Sequence, residues 1–233
     1  MIDQETLALG FLWYVAFLLS LTCHEAAHAL VAKWGGDLTA AQAGQVSLNP
    51  VPHMQRSPFG TIVVPLISYA LQGWMLGWAS APYDPFWQAR HPHRAAWMAL
   101  AGPAANFALM LIGAVAIRAG VSVGAFTAPT KATFTQVVSA SEPGTLAAIA
   151  TLLSILFVLN LLLFLFNLLP VPPLDGNQAA TLLMSERTGR RFLELTRSFG
   201  VLGLIVAWLV FGRVFGPVFT VALNLLHPGA GYH

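Results

Sequence analysis

Five uninterrupted apolar blocks, each long enough to match a lipid hydrocarbon layer, leave this chain few ways to fold. They run over residues 7–34, 59–79, 95–118, 146–170 and 199–226, and a helix needs roughly 20 residues to cross about 30 Å of hydrocarbon. A backbone N–H or C=O finds no water there, so a spanning chain must be helical or a closed barrel. Barrel strands alternate apolar and polar residues, and these blocks do not. The composition agrees: 57% of the 233 residues are hydrophobic and 9% are charged, against about 45–50% apolar and about 25% charged in a soluble domain. The expected fold class is an all-α polytopic membrane protein, a helical bundle of four to six transmembrane segments.

The connections refine this. Residues 36–49, within GGDLTAAQAGQVSLNP, are expected to form a short two-stranded β-hairpin. The stretch APYDPFWQARHPHR (81–94) has three prolines and reads as a loop, and residues 120–145 join two blocks outside the membrane. After PVPPLDG (170–176) a short helix and a basic amphipathic connection lead to the last block. If all five blocks cross, the loop Lys and Arg residues divide six against four. If block 59–79, with Pro65, Gly73 and Gly77, dips in and returns on the same side, they divide eight against two. Cytoplasmic loops carry the basic excess, so the re-entrant arrangement is the one expected, with the N-terminus outside. Asp3 and Glu5 stand where a signal peptide would be basic, so the first block is expected to stay in place. The chain reads as a single domain over 1–233, with a core at 7–185 and an additional C-terminal transmembrane helix at 199–226.

The first block contains LTCHEAAHALVAKW, an ionisable trio inside an apolar helix. His24 and His28 stand at i and i+4 on one helix face, so two imidazoles can meet one zinc ion, and Glu25 is placed to take a proton from a metal-bound water. Ionisable groups in a spanning helix are costly and mark functional sites. Zinc in a catalytic site takes three protein ligands, and the third is open among Asp175, His91, His93, His227 and His233. Those four histidines lie in loops or at the tail, where solvated surface roles are expected. Asp175 follows Pro170, Pro172 and Pro173, which end a helix and force an extended bend; capping the next helix is its ordinary alternative. Asn106 serves either close helix packing in AGPAANF or the cleft, and Asn167 either the carbonyls freed near Pro170 or a substrate backbone. His53 is kept out of the metal set.

HEAAH on an apolar helix, AGPAANF at 101–107 and NLLPVPPLDG at 167–176 together resemble the site-2 protease family of intramembrane zinc metalloproteases. GQVSLNPVPH and the following SPFGT are similar to its small prokaryotic members. The resemblance covers roughly residues 7–185. It implies one Zn2+ per chain bound by His24, His28 and Asp175, with Glu25 as catalytic base and Asn106 and Asn167 near the substrate. It further implies proteolysis within or near the transmembrane segment of a single-pass membrane protein, a lipid bilayer as partner, and residence in a prokaryotic plasma membrane. No stretch is long and polar enough for the PDZ domain of larger members.

Several other readings are weaker. The single cysteine, Cys23, excludes an intramolecular disulfide and a thiolate zinc cluster and reads as a packing residue. A net charge of +2 without a basic aromatic stripe gives no ground for nucleic-acid binding. A di-iron oxidase needs more histidine boxes, and a zinc transporter needs a polar path along the blocks. The alternative that keeps the family is a catalytically silent relative that binds membrane proteins as a scaffold or chaperone.

Overall fold

In the computed structural model of the protein, which describes residues 3–200 and 202–233, four helices are long and apolar enough to cross a membrane. They are α1 (Gln4–Trp34), α6 (Pro92–Ser122), α7 (Thr145–Asn167) and α10 (Leu202–Leu226). The Asp3 carboxylate starts α1 by accepting the Thr6 N–H at 2.6 Å, and Pro92 occupies the first turn of α6, where its missing N–H costs nothing. Helices α1, α6 and α7 pack mutually as the core, while α10 lies on the outside against α6 and α7. Gly113 of α6 faces Phe157 of α7 across a space that a single methyl would fill to van der Waals contact, the close approach that small residues permit between membrane helices.

Short elements fill the connections: α2 (Thr39–Gln42), α3 (Pro50–Arg56), a π-helical stretch Phe59–Val63 running into α4 (Val64–Gln72), α5 (Pro85–Arg90), α8 (Asp175–Ala179) with a 3-10 turn Ala180–Leu183, and α9 (Glu186–Arg197). Strands β1 (Phe126–Thr127) and β2 (Ser139–Ala140) pair antiparallel, Phe126 opposite Ala140. The short hairpin therefore lies between α6 and α7. Residues 36–49 instead form α2 and turns, because Ala40 and Ala41 favour helix and local bonds satisfy the polar groups. Gln45 donates from its side-chain amide to the Pro52 carbonyl, and His53 Nε2 bonds the Ser47 carbonyl. Residues 81–94 also depart from a plain loop: Asp84 caps α5 by accepting the Phe86 N–H at 2.8 Å.

The second apolar block does not cross. Its helical part, Phe59–Gln72, is short of a span, and α4 ends at Gly73 with φ +76°, a conformation glycine adopts without strain. The chain then doubles back, Leu76 N–H to Ser68 Oγ at 2.8 Å and Trp78 N–H to the Gly60 carbonyl at 3.1 Å. Residue 78 thus returns to where residue 60 began, the re-entrant arrangement expected from the basic residues.

From Trp78 the chain continues without helix or strand to Asp84, and its lower end is tied to the end of α1. The buried Asp37 carboxylate accepts the Thr39 hydroxyl at 2.6 Å, the Thr39 N–H at 2.9 Å and the Asp84 N–H at 2.8 Å. Burial pushes this carboxyl up, but the Thr39 hydroxyl and the Asp84 and Thr39 N–H groups outweigh it and hold it below the ordinary carboxylate range. A group whose folded pKa is depressed stabilises above its unfolded pKa, about 3.9, and that contribution is lost as pH falls through the folded value. Thermal unfolding in nanodiscs between about pH 5 and about pH 3 should therefore steepen in wild type relative to Asp37→Asn. Parallel curves would remove Asp37 from this role.

Candidate metal centre

His24 and His28 are buried on the face of α1 that meets α6. Their Nε2 atoms lie 3.0 Å apart, and Asp175 Oδ2, brought in by α8, lies 3.0 Å from His24 Nε2 and 3.3 Å from His28 Nε2. The far nitrogens settle which atoms carry protons. His28 Nδ1 is 2.7 Å from the Met98 carbonyl, an acceptor, so it donates. His24 Nδ1 is 2.6 Å from Asn106 Oδ1, while the Asn106 Nδ2 donates to Asn160 Oδ1 at 2.8 Å and toward the Ser20 carbonyl at 3.4 Å. With each Nδ1 donating outward, the two Nε2 atoms face each other and a carboxylate oxygen. Three such donor atoms converging at this distance repel one another unless a cation, a proton or a metal ion, lies among them.

The donor set fits zinc. Tetrahedral ligands at about 2.0–2.2 Å from the metal stand roughly 3.3 Å apart, close to the observed triangle, and outer hydrogen bonds that fix the imidazole tautomer are the usual second layer of such a site. Room is kept by Gly102 of α6. A Cβ there would fall on His28 Nε2 and lie 2.5 Å from His24 Nε2, so the backbone of α6 forms the floor beneath both rings. Gly176, next to Asp175, lies so close to the Leu168 and Leu169 carbonyls that a side chain would push α8 away from α7. Asp175 itself stands in the first turn of α8 with its carboxylate turned to the imidazoles instead of capping the helix.

A cleft of about 320 Å³ opens beside the cluster. Glu25, His28, Ala29 and Ala32 form its α1 side, residues 79–83 one wall, and Pro172, Pro173, Leu174 and Asp175 the other. Glu25 is buried, at 4% exposure, and reaches the cleft one residue from His24.

Over residues 12–210 the sequence matches the model of peptidase family M50. The chain belongs to that family. Within it, a protein of Bacillus subtilis (strain 168) named "Putative zinc metalloprotease YwhC" is 34% identical over 163 residues, 70% of this chain and 64% of that protein. A Mycobacterium tuberculosis (strain ATCC 25618 / H37Rv) protein named "Putative zinc metalloprotease Rip2" is 29% identical over 206 residues, 87% of this chain and 70% of that protein. The chain thus spans just under two thirds of the length of the first of these relatives. No solved structure matches it. Family M50 comprises the site-2 proteases that the sequence motifs resemble, and with its four long apolar helices the chain is an integral membrane protein.

Within this M50 framework, the structure brings His24, His28 and Asp175 together with Glu25 alongside. The two asparagines stand elsewhere. Asn106 is fully buried, its amide committed to His24, Asn160 and Ser20, and Asn167 bonds the Leu163 carbonyl of its own helix at 3.0 Å. Neither is among the residues that line the cleft. Cys23 stays outside the cluster, and His53 is buried in its own loop. His227 is not solvated as expected: it is 4% exposed, with Nε2 bonding the Val137 carbonyl at 2.7 Å. Sequence reading missed Asn160, which orients Asn106 and donates to Ser20 Oγ at 2.8 Å. The available signal was a lone amide inside the most apolar block, FVLNLLL.

Proposed function

We propose that the protein is an intramembrane zinc metalloprotease that hydrolyses peptide bonds within or near transmembrane segments, with single-pass membrane proteins as substrates and a prokaryotic plasma membrane as its site. The reading is carried by the convergence of two imidazole nitrogens and a carboxylate, with a second carboxylate on the adjoining cleft. His24, His28 and Asp175 would hold the ion. A zinc ion there supplies Lewis acidity, lowering the pKa of a water toward about 7 and polarising a carbonyl. Glu25 accepts the proton of the attacking water and delivers it to the departing amine nitrogen. Asn106 and the Met98 carbonyl keep the Nδ1 protons in place and hold both rings aimed at the ion.

A membrane helix hides its carbonyls in its own hydrogen bonds, so the scissile segment must be extended before attack. Residues 79–83 provide the edge for this: they run along the cleft wall outside any helix or strand, and no backbone–backbone hydrogen bond engages them. A substrate strand adds to this edge by β-pairing. The opposite wall contains Pro172 and Pro173, which lack N–H groups and cannot compete for it.

Purified protein in bicelles should cut a single-pass substrate with Gly or Pro near mid-span and cut a leucine-only span far more slowly. 1,10-Phenanthroline should stop the reaction and added zinc restore it. A zinc-loaded protein that binds the substrate without cutting would support the scaffold or chaperone alternative; equal cutting of the two spans would refute the pairing edge.

A further inference from the structure

Arg213 is the twelfth of the 25 residues of α10, so at about 1.5 Å per residue it lies roughly 16–20 Å from either end of the helix. It is exposed on the side of α10 opposite the core-facing Ala207, Phe211 and Phe215, with no ion pair or hydrogen bond among the described residues. An arginine stem is too short to bring its charge from this depth to the headgroups without distorting the bilayer. Pro217, four residues on, has no N–H to close on the Arg213 carbonyl, so an acceptor without its usual helical donor stands at the same level. Gly212 and Gly216 flank the arginine, one turn apart, and a Cβ at either would meet nothing within 4 Å. A cation, a freed carbonyl and a shallow groove thus share one lipid-facing patch, and the first two are costly against hydrocarbon.

We infer that this face of α10 docks the transmembrane helix of a second membrane protein, one that carries an Asp or Glu at mid-bilayer depth. Charge complementarity selects the occupant. The chain's own carboxylates are elsewhere: Glu25 is buried in α1, Asp175 is engaged with the histidines, and the rest lie in loops or near helix ends. A second copy pairing through the same face would set Arg213 against Arg213, so self-association is disfavoured. No residue of α10 lines the cleft, which makes this partner additional to any chain held there and independent of the proteolytic reading. The groove brings the backbones close, and the partner carboxylate meets the guanidinium out of reach of water.

The test uses the full chain in lipid nanodiscs, donor-labelled on a loop, with an acceptor-labelled synthetic leucine-rich transmembrane helix bearing an alanine ridge and one central Glu. Energy transfer should report binding roughly tenfold tighter than for the same helix with Leu or Lys at that position. Arg213→Glu should reverse the preference toward the Lys helix, and Gly216→Leu should weaken binding of the Glu helix. The reversal distinguishes docking from misfolding, since a collapsed bundle would lose all binding without changing sign. Indifference to the central residue, an unchanged preference in Arg213→Glu, or self-association of the chain through α10 would overturn the inference.

Discussion

Glu25→Gln protein should bind one zinc ion as tightly as wild type and lose cleavage by at least about 10²–10⁴-fold, the range that positioned acid–base groups contribute. The reasoning is geometric. The three converging atoms belong to His24, His28 and Asp175, and Glu25 is not among them. Its carboxylate lies on the cleft, so an amide of nearly the same shape preserves the packing and leaves the donor triangle intact. What the amide lacks is a basic oxygen able to take a proton and give it back. Metal analysis of the purified variant and a cleavage assay in bicelles check both halves. Retained cleavage would place the base elsewhere; lost zinc would make Glu25 a ligand or a structural support.

Gly102→Ala should behave in the opposite way, losing zinc together with activity while the bundle stays folded. One methyl group at this position would occupy the space between α6 and both Nε2 atoms, which neither ring can leave because its Nδ1 is anchored at 2.6–2.7 Å. Deleting an outer partner of a zinc ligand costs about 10- to 100-fold in affinity. A methyl placed on the ligand atoms themselves should exceed that, so that zinc does not survive a gel-filtration step. Circular dichroism and the elution profile should remain those of wild type. Stoichiometric zinc in this variant would show that α6 can withdraw and that the glycine serves packing alone.

Much of the site was legible because it is periodic or punctuated. His24 and His28 share a face by helical spacing, and the prolines before Asp175 mark a bend that an apolar run would otherwise hide. Gly102 was visible only as a small residue for helix packing. Its closeness to imidazoles on another helix depends on the axial register of α1 and α6, which local pattern does not encode. The same holds for residues 79–84. Their composition says loop, and they become a cleft wall only because Trp78 closes on Gly60 and Asp84 on Asp37. The misplaced hairpin has a simpler cause: a few alternating residues around Ala40 and Ala41 look strand-like, but the Asp37 carboxylate two residues before Thr39 accepts its N–H and turns the chain into α2. His227 illustrates the limit of the rule that loop histidines face water: the loop before α7 folds back over the bundle and buries it.

The thread of amides and hydroxyl from Ser20 through Asn160 and Asn106 to His24 draws one link from each of α1, α7 and α6. Hydrocarbon gives sliding helices no preferred offset, because lipid tails are as apolar as leucine. Here a slip of one turn by any of the three would strand an amide in oil. Assembly of the trunk and alignment of the candidate metal centre are therefore coupled, and grafting this centre onto another scaffold would require all three helices, not the short motifs alone.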